Sequence, residues 1–469
     1  MLLPASAQAF GPIAQYGPAT PGATPGQLDT PEGVAIGPDA NVYVSDADNN
    51  RIDVFAPGGS FLRSFGAGQV DVPEGLAVDA AGNVYVASEG DDRIVVFNSQ
   101  GALVRSFGGT GAGAGQLHAP EGVALDSQGN LYVPDFFNAR ISVFTPQGSF
   151  VRAFGWGVST GAMSLQVCTT SCLAGISGGG AGQLGQPRQA AVDAAGNLYV
   201  ADDGADRVEV FTTQGAFVRA FGYGVSTGAA LPQVCTTSCQ PGIPGAGAGQ
   251  FDDADSVAVD AAGNLFIPDA INNRVSVFTG QGTFLRAFGW DVVPGGVASF
   301  ETCDATTTCK AGVPGGGAGQ LTSPFGDAID CRGALYVSDQ GNNRVQRFGE
   351  PGTRLPPCPS NAFSFGKLKK NKKRGTALLT VIVPGAGKLA LSGKGLKAQR
   401  STGFAAASRK VSAAGKVKLL IKAKGGKKRK LSRTGKLKVR AKVTFTPING
   451  DPNTKSKRTK LLKRLRRQG

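Results

Sequence analysis

The chain has 469 residues, a net charge of +16 and one histidine, His118. A single histidine nearly excludes sites that need several, such as multi-histidine metal centres and Ser/His/Asp hydrolysis. No apolar run reaches the roughly 18 residues that a membrane-spanning helix requires. Residues 1–358 carry 16 Lys and Arg against 32 Asp and Glu, whereas residues 359–469 carry 33 against Asp451 alone. This reversal of charge predicts a domain boundary near Cys358.

The chain begins with the sequence MLLPASAQA at residues 1–9. The small residues of ASAQA are typical of a signal-peptide cleavage site, but the basic start and the full apolar core of such a peptide do not precede them. We interpret residues 1–9 as the remnant of a truncated signal peptide, which predicts an exported protein outside the cell or at its envelope. The alternative is a genuine short start on a cytoplasmic protein.

Residues 10–358 contain six copies of a unit of about 40 residues. Each copy starts near a glutamine, and in the first five a glycine closes the unit 39 positions later. The glutamines are Gln27, Gln69, Gln116, Gln183, Gln250 and Gln320. Inside each unit, four short apolar segments alternate with turn sequences such as DAAGN and TTQG, whose Gly, Asn and Asp accept the backbone angles of tight hairpins. Four strands per repeat predict the blades of a β-propeller.

The sixth unit ends without a fourth strand. Its third segment, NRVQRFG, is followed directly by EPGTRLPPC, whereas PIAQYG at residues 12–17 matches the FLRSFG ending of a complete unit. The sequence therefore predicts an all-β, six-bladed propeller over residues 10–358. In this arrangement residues 10–17 supply the outer strand of the last blade and close the ring.

The repeated pattern closely resembles the NHL repeat of bacterial exported proteins. It runs Pro-x-Gly-Val-Ala-Val-Asp, Gly-Asn-Leu-Tyr-Val-x-Asp, Asn-Arg-Ile-x-Val-Phe and Phe-x-Arg-x-Phe-Gly. The resemblance implies a six-bladed propeller that binds a protein, an RNA or an envelope ligand. Some related propellers, among them streptogramin lyase and the peptide-amidating lyase, are enzymes that depend on histidines and a metal. Because this chain lacks those histidines, we expect a non-enzymatic protein without a cofactor; the alternative is a metal-dependent lyase or lactonase.

An arginine recurs at the start of the third segment of every unit. It follows an aspartate by five residues in all units but the second, where Ser88 takes its place. The arginines are Arg51, Arg93, Arg140, Arg207, Arg274 and Arg344, and the aspartates are Asp46, Asp135, Asp202, Asp269 and Asp339. Because a single site on a ring has no need of six copies, we interpret these pairs as ties for the loop between strands two and three. The alternative is a ring of arginines that binds phosphates.

The connectors between units differ greatly in length. They have two and seven residues after the first two units, then 27, 27 and 30. Each long connector, or insertion, begins with an aromatic residue: Trp156, Tyr223 and Trp290. Aromatic side chains at the rim of a concave face suit the stacking of a glycan or peptide, so these three are predicted ligand contacts. The alternative is that each aromatic only packs on its own outer strand.

The eight cysteines fit an oxidised, exported protein. Six fall as close pairs inside the insertions: Cys168 and Cys172, Cys235 and Cys239, Cys303 and Cys309. Local disulfides are the simplest pairing, with zinc binding as the alternative. The remaining two, Cys331 and Cys358, are predicted to form a disulfide that fastens the end of the sixth unit.

One position at the start of each unit's first strand is predicted to face the propeller axis. It reads Glu32, Glu74, Glu121, Arg188, Asp255 and Phe325 around the ring. The three glutamates predict an acidic mouth suited to a cation or a basic peptide. Related six-bladed lactonases hold calcium in such funnels, so the resemblance implies a calcium site as one interpretation. We favour a solvated acidic rim without a resident metal, and we interpret His118 as a surface side chain.

Residues 359–469 alternate apolar with cationic side chains, most clearly over 437–445. A period of two predicts strands, here a small basic β-sandwich with a basic tail. The region resembles the lysine-rich C-terminal modules of exported bacterial proteins.

A module of this charge selects its partners largely by charge. Candidates are a teichoic or other phosphate polymer, anionic lipid, nucleic acid or the acidic propeller. Sequence-specific nucleic acid is not predicted, because no Tyr or Trp after residue 358 can stack on bases. The whole sequence predicts an exported propeller that holds a protein, peptide or glycan ligand while the basic domain attaches to an anionic envelope polymer. For that domain the alternative is a solvated face that only aids solubility.

Overall fold

The computed structural model describes residues 10–349, 363–383, 387–392, 396–397, 408–411, 415–447 and 453–464. The chain forms two compact units, Met1–Leu355 and Pro356–Gly469. The predicted signal-peptide remnant at residues 1–9 and the predicted disulfide partner Cys358 lie outside the described residues. No helix in the described ranges is long and apolar enough to cross a membrane.

The described part of unit 1 starts with a strand that is followed by two four-stranded antiparallel sheets. Strand β1 spans Gly11–Tyr16. The first sheet contains β2 to β5 in chain order: Pro31–Ile36, Val42–Asp46, Arg51–Phe55 and Phe61–Phe65. The second contains β6 to β9: Pro73–Val78, Val84–Ser88, Arg93–Phe97 and Leu103–Gly108.

Three five-stranded antiparallel sheets follow. The third sheet contains β10 to β14: Ala124–Leu125, Leu131–Asp135, Arg140–Phe144, Phe150–Trp156 and Leu165–Cys168. The fourth contains β15 to β19: Pro187–Val192, Asn197–Asp202, Arg207–Thr212, Phe217–Tyr223 and Pro232–Cys235. The fifth contains β20 to β24: Ala258–Val259, Asn264–Asp269, Arg274–Thr279, Phe284–Trp290 and Phe300–Cys303.

The last sheet of unit 1 joins the two ends of the repeat region. Strands β25 to β27 span Pro324–Ile329, Leu335–Asp339 and Arg344–Gly349. Strand β1 adds to this sheet by pairing antiparallel with β27, from Gly11 opposite Gly349 to Tyr16 opposite Val345. Short 3-10 helices lie between the second and third strands of three sheets, at Phe136–Asn138, Asp203–Ala205 and Gln340–Asn342.

The fifth strands β14, β19 and β24 were not predicted; they lie outside the repeat units, which contribute four strands to each of these sheets. Each belongs to an insertion, which folds back antiparallel on the outer strand of its own sheet. In the third sheet, Gly155 lies opposite Gln166 and Ala153 opposite Cys168. The long connectors are therefore partly ordered as sheet edges, because the outer strand offers unpaired backbone groups to the returning chain.

The sheets of unit 1 pack face to face around a central axis. Ile52 and Val54 of the first sheet share one apolar cluster with Val86 and Phe97 of the second. The innermost strands follow one another in a circle, since β2 contacts β6 and β25, β10 contacts β6 and β15, and β20 contacts β15 and β25. The all-β prediction is confirmed, and unit 1 is a β-propeller.

Glycine allows the innermost strands to approach one another closely. A Cβ atom on Gly33 would lie 2.6 Å from the carbonyl oxygen of Glu74 and 2.8 Å from the Cα atom of Gly75. The amide of Gly75 in turn donates to the carbonyl oxygen of Glu121 at 2.9 Å. At the level of these glycines, the close backbone contacts leave no space for a side chain on Gly33 or Gly75.

Unit 2 contains two four-stranded antiparallel sheets and one helix. Its elements are β28 Ser364–Asn371, β29 Thr376–Val383, β30 Gly387–Ser392, β31 Leu396–Lys397, β32 Ser408–Val411, β33 Gly415–Ala423, α1 Gly425–Thr434, β34 Lys436–Pro447 and β35 Asn453–Leu462. The strand orders are β28-β29-β33-β31 and β32-β30-β34-β35. Both sheets contribute to one hydrophobic core, for example through Leu379 and Ile421 of one sheet and Leu389 and Val443 of the other.

Helix α1 was not predicted. Its sequence, GGKKRKLSRT, is rich in Lys and Arg, which favour helices, whereas the strand pattern on either side suggested strands throughout. Leu431 anchors the helix in the core, and Gly435 ends it with a φ of 65°.

Candidate functional site

The recurring Asp–Arg pairs are ion pairs that hold the loop between the second and third strands. Arg140 Nε lies 2.8 Å from Asp135 Oδ2, and both side chains are fully buried. The other carboxylate oxygen of Asp135 accepts the backbone N–H of His118 and the side-chain amide of Asn138. Arg140 also donates to the carbonyl oxygen of Gln116 at 2.9 Å, so the pair ties this loop to the preceding connector.

The pairing recurs in the other sheets that have the aspartate, although in the fourth sheet Arg207 lies closer to Glu209 than to Asp202. The distances from Nε to Oδ2 are 2.9 Å for Arg51–Asp46, 3.8 Å for Arg207–Asp202, 3.0 Å for Arg274–Asp269 and 2.7 Å for Arg344–Asp339. In the second sheet, where Ser88 stands in place of the aspartate, Arg93 contacts Asp91 instead and its side chain is 37% exposed. These internal contacts favour the structural interpretation over a phosphate-binding ring.

Each insertion covers one of these arginines. Nη1 of the arginine donates to an insertion carbonyl oxygen in three cases: Arg140 to Leu173 at 2.8 Å, Arg207 to Gln240 at 3.0 Å, and Arg274 to Lys310 at 3.2 Å. The insertions are thereby joined to the propeller through buried, charge-assisted hydrogen bonds.

Each insertion also contains a disulfide. The bonds join Cys168 to Cys172, Cys235 to Cys239, and Cys303 to Cys309. Because the sulfur atoms are bonded to each other, these pairs offer no thiolate to zinc. Cys331 is also disulfide-bonded, and Cys358, the partner predicted for it, lies outside the described residues.

The three insertion aromatics occupy equivalent positions at the ends of β13, β18 and β23, and all are half-buried. The indole N–H of Trp156 donates to the carbonyl oxygen of Ala181 at 2.9 Å. The hydroxyl of Tyr223 donates to the carbonyl oxygen of Ala230 at 2.6 Å. Both acceptors belong to the same insertion as the aromatic, which fits the alternative in which each one packs within its own insertion. Trp290 does not line the axial cavity described next, nor do the other two.

The predicted axis-facing residues come together at one end of the propeller axis. A cavity of about 350 Å³ is lined by all six: Glu32, Glu74, Glu121, Arg188, Asp255 and Phe325. We call this cavity the mouth. These six residues lie near the starts of the innermost strands. Residues of neighbouring loops, such as Glu89 and Asp253, therefore also line the mouth.

A second position of the repeat that contributes to the mouth was not predicted from the sequence. The residues at this position directly follow the last residue of a second strand: Ala47, Glu89, Phe136, Asp203, Ala270 and Gln340. Of these, Glu89, Ala270 and Gln340 line the mouth. The only signal available was that this position changes from unit to unit after an aspartate that recurs in five of the six units.

Arg188 is the cation of the mouth. Its guanidinium nitrogens lie 3.0 Å from Asp255, 3.2 Å from Asp203, 3.6 Å from Glu121 and 3.8 Å from Asp253. Its Cζ atom stands over the rings of Phe136 and Phe325, at 5.4 and 5.5 Å from their centroids. Although burial opposes the charge, the four carboxylates raise the pKa of Arg188 above its ordinary value.

The glutamates on the other side of the mouth lack such a partner. Glu32 and Glu74 are each 6% exposed, and the Oε2 atom of each has no hydrogen-bond partner among the described residues. The Oε1 atom of Glu32 accepts the amide of Gln340. Burial raises the pKa of Glu32 to about 8 and that of Glu74 well above its ordinary value, with nearby carboxylates adding to both shifts. These shifts favour the protonated form of the Glu32 and Glu74 carboxyls near neutral pH.

Below the mouth, the axis contains a buried polar group. Where other innermost strands have glycine, the fourth and fifth sheets have Gln189 and Ser256. Ser256 Oγ lies 2.7 Å from Asp327 Oδ1 and 3.1 Å from Gln189 Oε1. Burial raises the pKa of Asp327 to about 8, against the opposing effect of the Ser256 hydrogen bond. The sequence analysis missed this group as well.

The insertions dock on the loops that shape the mouth. A glycine amide of each insertion donates to a loop carbonyl oxygen: Gly175 to Asn138 at 2.7 Å, Gly242 to Ala205 at 2.8 Å, and Gly312 to Asn272 at 2.8 Å. The first residues of the same loops are Phe136, Asp203 and Ala270. The insertions and the mouth therefore belong to one face of the propeller.

His118 does not line the mouth. His118 is exposed, with its ring centroid 4.9 Å from that of Phe137. The described part of the chain has no group of three His, Cys, Asp or Glu residues placed to hold a metal ion. In the mouth, Gln340 and Arg188 already contact oxygens of Glu32 and Glu121. These contacts leave the Oε2 atoms of Glu32 and Glu74 without a partner among the described residues, and the calcium site implied by the resemblance stays a prediction.

No protein-family model and no curated protein sequence matches the chain. Among solved structures, a streptogramin B lyase is similar at 10% identity and a TM-score of 0.43, over 74% of this chain and 99% of that one. A gluconolactonase from Xanthomonas campestris matches at 16% identity and 0.42, over 69% and 87%. An auxiliary nutrient binding protein from Bacteroides ovatus matches at 13% identity and 0.45, over 73% and 76%. These similarities do not distinguish an enzyme from a binding protein.

Proposed function

We propose that the chain is an exported, non-enzymatic bacterial binding protein of the NHL-repeat type. The propeller takes a basic side chain of a protein or peptide into its mouth, and unit 2 attaches to an anionic envelope polymer. The observation that carries the proposal is the pair of buried glutamates, Glu32 and Glu74, each with a carboxylate oxygen that no described residue satisfies.

The proposal includes a six-bladed ring closed by β1. The circle of innermost-strand contacts and the pairing of β1 with β27 support it. A closed ring keeps the six axis-facing residues at fixed positions, as a site of this kind requires.

The chemistry of the mouth favours a cationic group. Six carboxylates line it against the single cation Arg188: Glu32, Glu74, Glu89, Glu121, Asp253 and Asp255. Its volume of about 350 Å³ lies at the small end for ligand pockets, which suits one inserted side chain. An ammonium or guanidinium group would hydrogen-bond to the free oxygens of Glu32 and Glu74 and displace their protons. A larger ligand would extend across the same face toward Trp156, Tyr223 and Trp290.

The test compares a lysine-containing peptide with the same peptide carrying Gln in place of Lys. We expect the full chain to bind only the first, more tightly as the pH rises through about 8, where the Glu32 carboxyl loses its proton. Glu74→Gln should weaken binding about tenfold or more, as expected for loss of a charge-assisted hydrogen bond. Asp71→Asn, at an exposed carboxylate three residues before Glu74, is the matched control. Equal losses in the two variants, measured by titration calorimetry, would contradict the mouth as the site.

A metal-dependent lyase or lactonase makes the opposite prediction. It would require a stoichiometric metal in the purified protein and turnover of lactone or peptide substrates that is lost in Glu32→Ala.

Attachment through unit 2 is tested by removing residues 359–469. The remaining propeller should stay folded and lose its binding to anionic polymer, and binding by the full chain should fall steeply with salt. Retention on cell walls that resists about 1 M salt would contradict an electrostatic attachment.

A further inference from the structure

Six cations form three like-charged pairs across the strands of one sheet in unit 2. The pairs are Lys388 with Lys410 across β30 and β32, and Lys438 with Lys460 and Arg440 with Arg458 across β34 and β35. All six residues are exposed. We call this surface the cationic face.

The register of the strands places all six on the outer side of the sheet. Leu389 lies opposite Phe445, and both belong to the hydrophobic core. Val439 and Ala441 of β34 are also core residues. Because side chains alternate between the two sides of a strand, the cations between these residues point into solvent.

Like charges directly opposite each other destabilise an antiparallel pair. The only acidic residue of unit 2 is Asp451, and none of the described residues of this unit is Asp or Glu, so no carboxylate there relieves the repulsion. The other sheet has a single such pair among its described residues, Lys397 with Lys422 across β31 and β33. On β33 of the other sheet, Lys416 lies opposite Ile382 and Lys418 opposite Thr380.

An external polyanion would remove this repulsion and fits the face. Lys436, Lys438, Arg440 and Lys442 form a row on β34. Successive residues on one side of an antiparallel strand are spaced about 6.8 Å apart, and the neighbouring strand lies about 5 Å away. Two adjacent rows of cations can thus contact successive phosphates of a flexible chain, and arginine can bind each phosphate with two parallel hydrogen bonds.

We propose that the cationic face is the surface through which unit 2 binds a linear phosphate polymer without aromatic bases. This inference rests on the proposed attachment of unit 2 to an anionic polymer and names its site. Nucleic acid is disfavoured because the described strands β30, β32 and β35 contain no aromatic residue, and the only one on β34, Phe445, is buried in the core.

The test uses the full chain and linear inorganic polyphosphate as the probe. Two variants each remove two charges: Lys438→Gln with Arg440→Gln on the cationic face, and Lys416→Gln with Lys418→Gln as the matched control. The face variant should bind polyphosphate at least about tenfold more weakly, and the slope of log K against log salt should fall by about 1.5, as expected for two lost phosphate contacts. The control should change affinity less than threefold.

A second measurement concerns stability. Without polyphosphate, the face variant should melt at a higher temperature than the wild type, because the repulsion of Lys438 with Lys460 and of Arg440 with Arg458 is removed.

The outcomes separate this inference from the proposed function. If the wild type binds polyphosphate and the two variants lose affinity equally, net charge governs binding and the assignment of the face is wrong. If the wild type binds no polyphosphate, the attachment itself is wrong. Tighter binding to single-stranded DNA than to polyphosphate, or binding only to vesicles of phosphatidylglycerol, would overturn the proposal in favour of nucleic acid or a membrane.

Discussion

The amide of Gly175 donates a hydrogen bond of 2.7 Å to the carbonyl oxygen of Asn138. Gly175 belongs to the first insertion, and Asn138 belongs to the loop between the second and third strands of the same sheet. That loop also carries Phe136, whose ring lies under the guanidinium of Arg188 in the mouth. The insertion therefore supports one wall of the candidate site without lining it.

Replacing this glycine should displace the insertion. A Cβ atom on Gly175 would lie 2.3 Å from the carbonyl oxygen of Ala139 and 2.9 Å from that of Asn138, and both belong to backbone that is held on both sides. We expect Gly175→Ala to lower the free energy of unfolding by about 2 kcal/mol. Faster amide exchange should be confined at first to residues 156–182. Gly58→Ala, whose Cβ would meet no atom within 4 Å, is the control and should leave both measurements nearly unchanged.

Substitutions of Trp156 can show whether this residue contacts the ligand or only packs within its insertion. Its indole N–H bonds to Ala181 within the insertion, and the ring is half-buried. We expect Trp156→Ala to lower the free energy of unfolding by about 2 kcal/mol through lost packing, and Trp156→Phe by about 1 kcal/mol through the lost hydrogen bond. Chemical denaturation measures both. Loss of peptide binding in Trp156→Phe with an unchanged unfolding curve would instead make this residue a ligand contact.

Structural features that recur in every unit could be predicted from the sequence, whereas features present in only some of the units were missed. Alternating apolar residues and glycine turns recur in every copy, so the strands and the inward position of Glu32 and its equivalents followed from the pattern. The fifth strands did not, because segments such as SLQVC at 164–168 are short and lie among Gly, Ser and Thr residues. Their pairing is imposed by the free edge of the neighbouring strand rather than by their own composition.

Two further features were missed for a related reason. Glu89 and Gln340 reach the mouth only because a loop turns back toward the axis, which strand periodicity does not describe. Ser256 and Asp327 meet across neighbouring sheets although 71 residues separate them in the chain. Comparing each position across the six units, rather than reading along one unit, would have marked all four as departures from the repeat.

Tyr16 links the first and last sheets of unit 1 and should contribute strongly to the stability of this unit. It is fully buried on β1, and its hydroxyl donates to the carbonyl oxygen of Pro57 in the first sheet. Its ring packs against Phe55 of that sheet and Tyr336 of the last. Tyr16→Ala removes contacts to both and should cost about 4 kcal/mol.

The matched variant Tyr16→Phe keeps the ring and should cost only about 1 kcal/mol for the lost hydrogen bond. Thermal unfolding followed by circular dichroism measures both variants. If Tyr16→Ala melted like the wild type, closure by β1 would not contribute to the stability of the propeller.

Asp327 should make the stability of unit 1 fall as the pH rises. Burial raises the pKa of this carboxyl from 3.8 to about 8. Between these two values the folded chain binds a proton that the unfolded chain has released, so raising the pH favours unfolding. The contribution of the protonated carboxyl is complete below about pH 4 and is lost as the pH passes through about 8.

Asp327→Asn keeps the shape and the neutral charge of the protonated form. We expect the variant to match the wild type near pH 4 and to exceed its unfolding free energy by about 2 kcal/mol or more near pH 9. Other buried carboxyls, such as Glu32 and Asp46, titrate in the same range, so the measured quantity is the difference between variant and wild type in urea unfolding at each pH. Asp304→Asn, at a carboxyl whose pKa is lowered to about 2 by hydrogen bonds from Thr306 and Thr307, is the control and should give a difference that stays constant over this range. A constant difference for Asp327→Asn as well would mean that Asp327 is ionised in the folded protein at neutral pH, which requires a partner for its second oxygen.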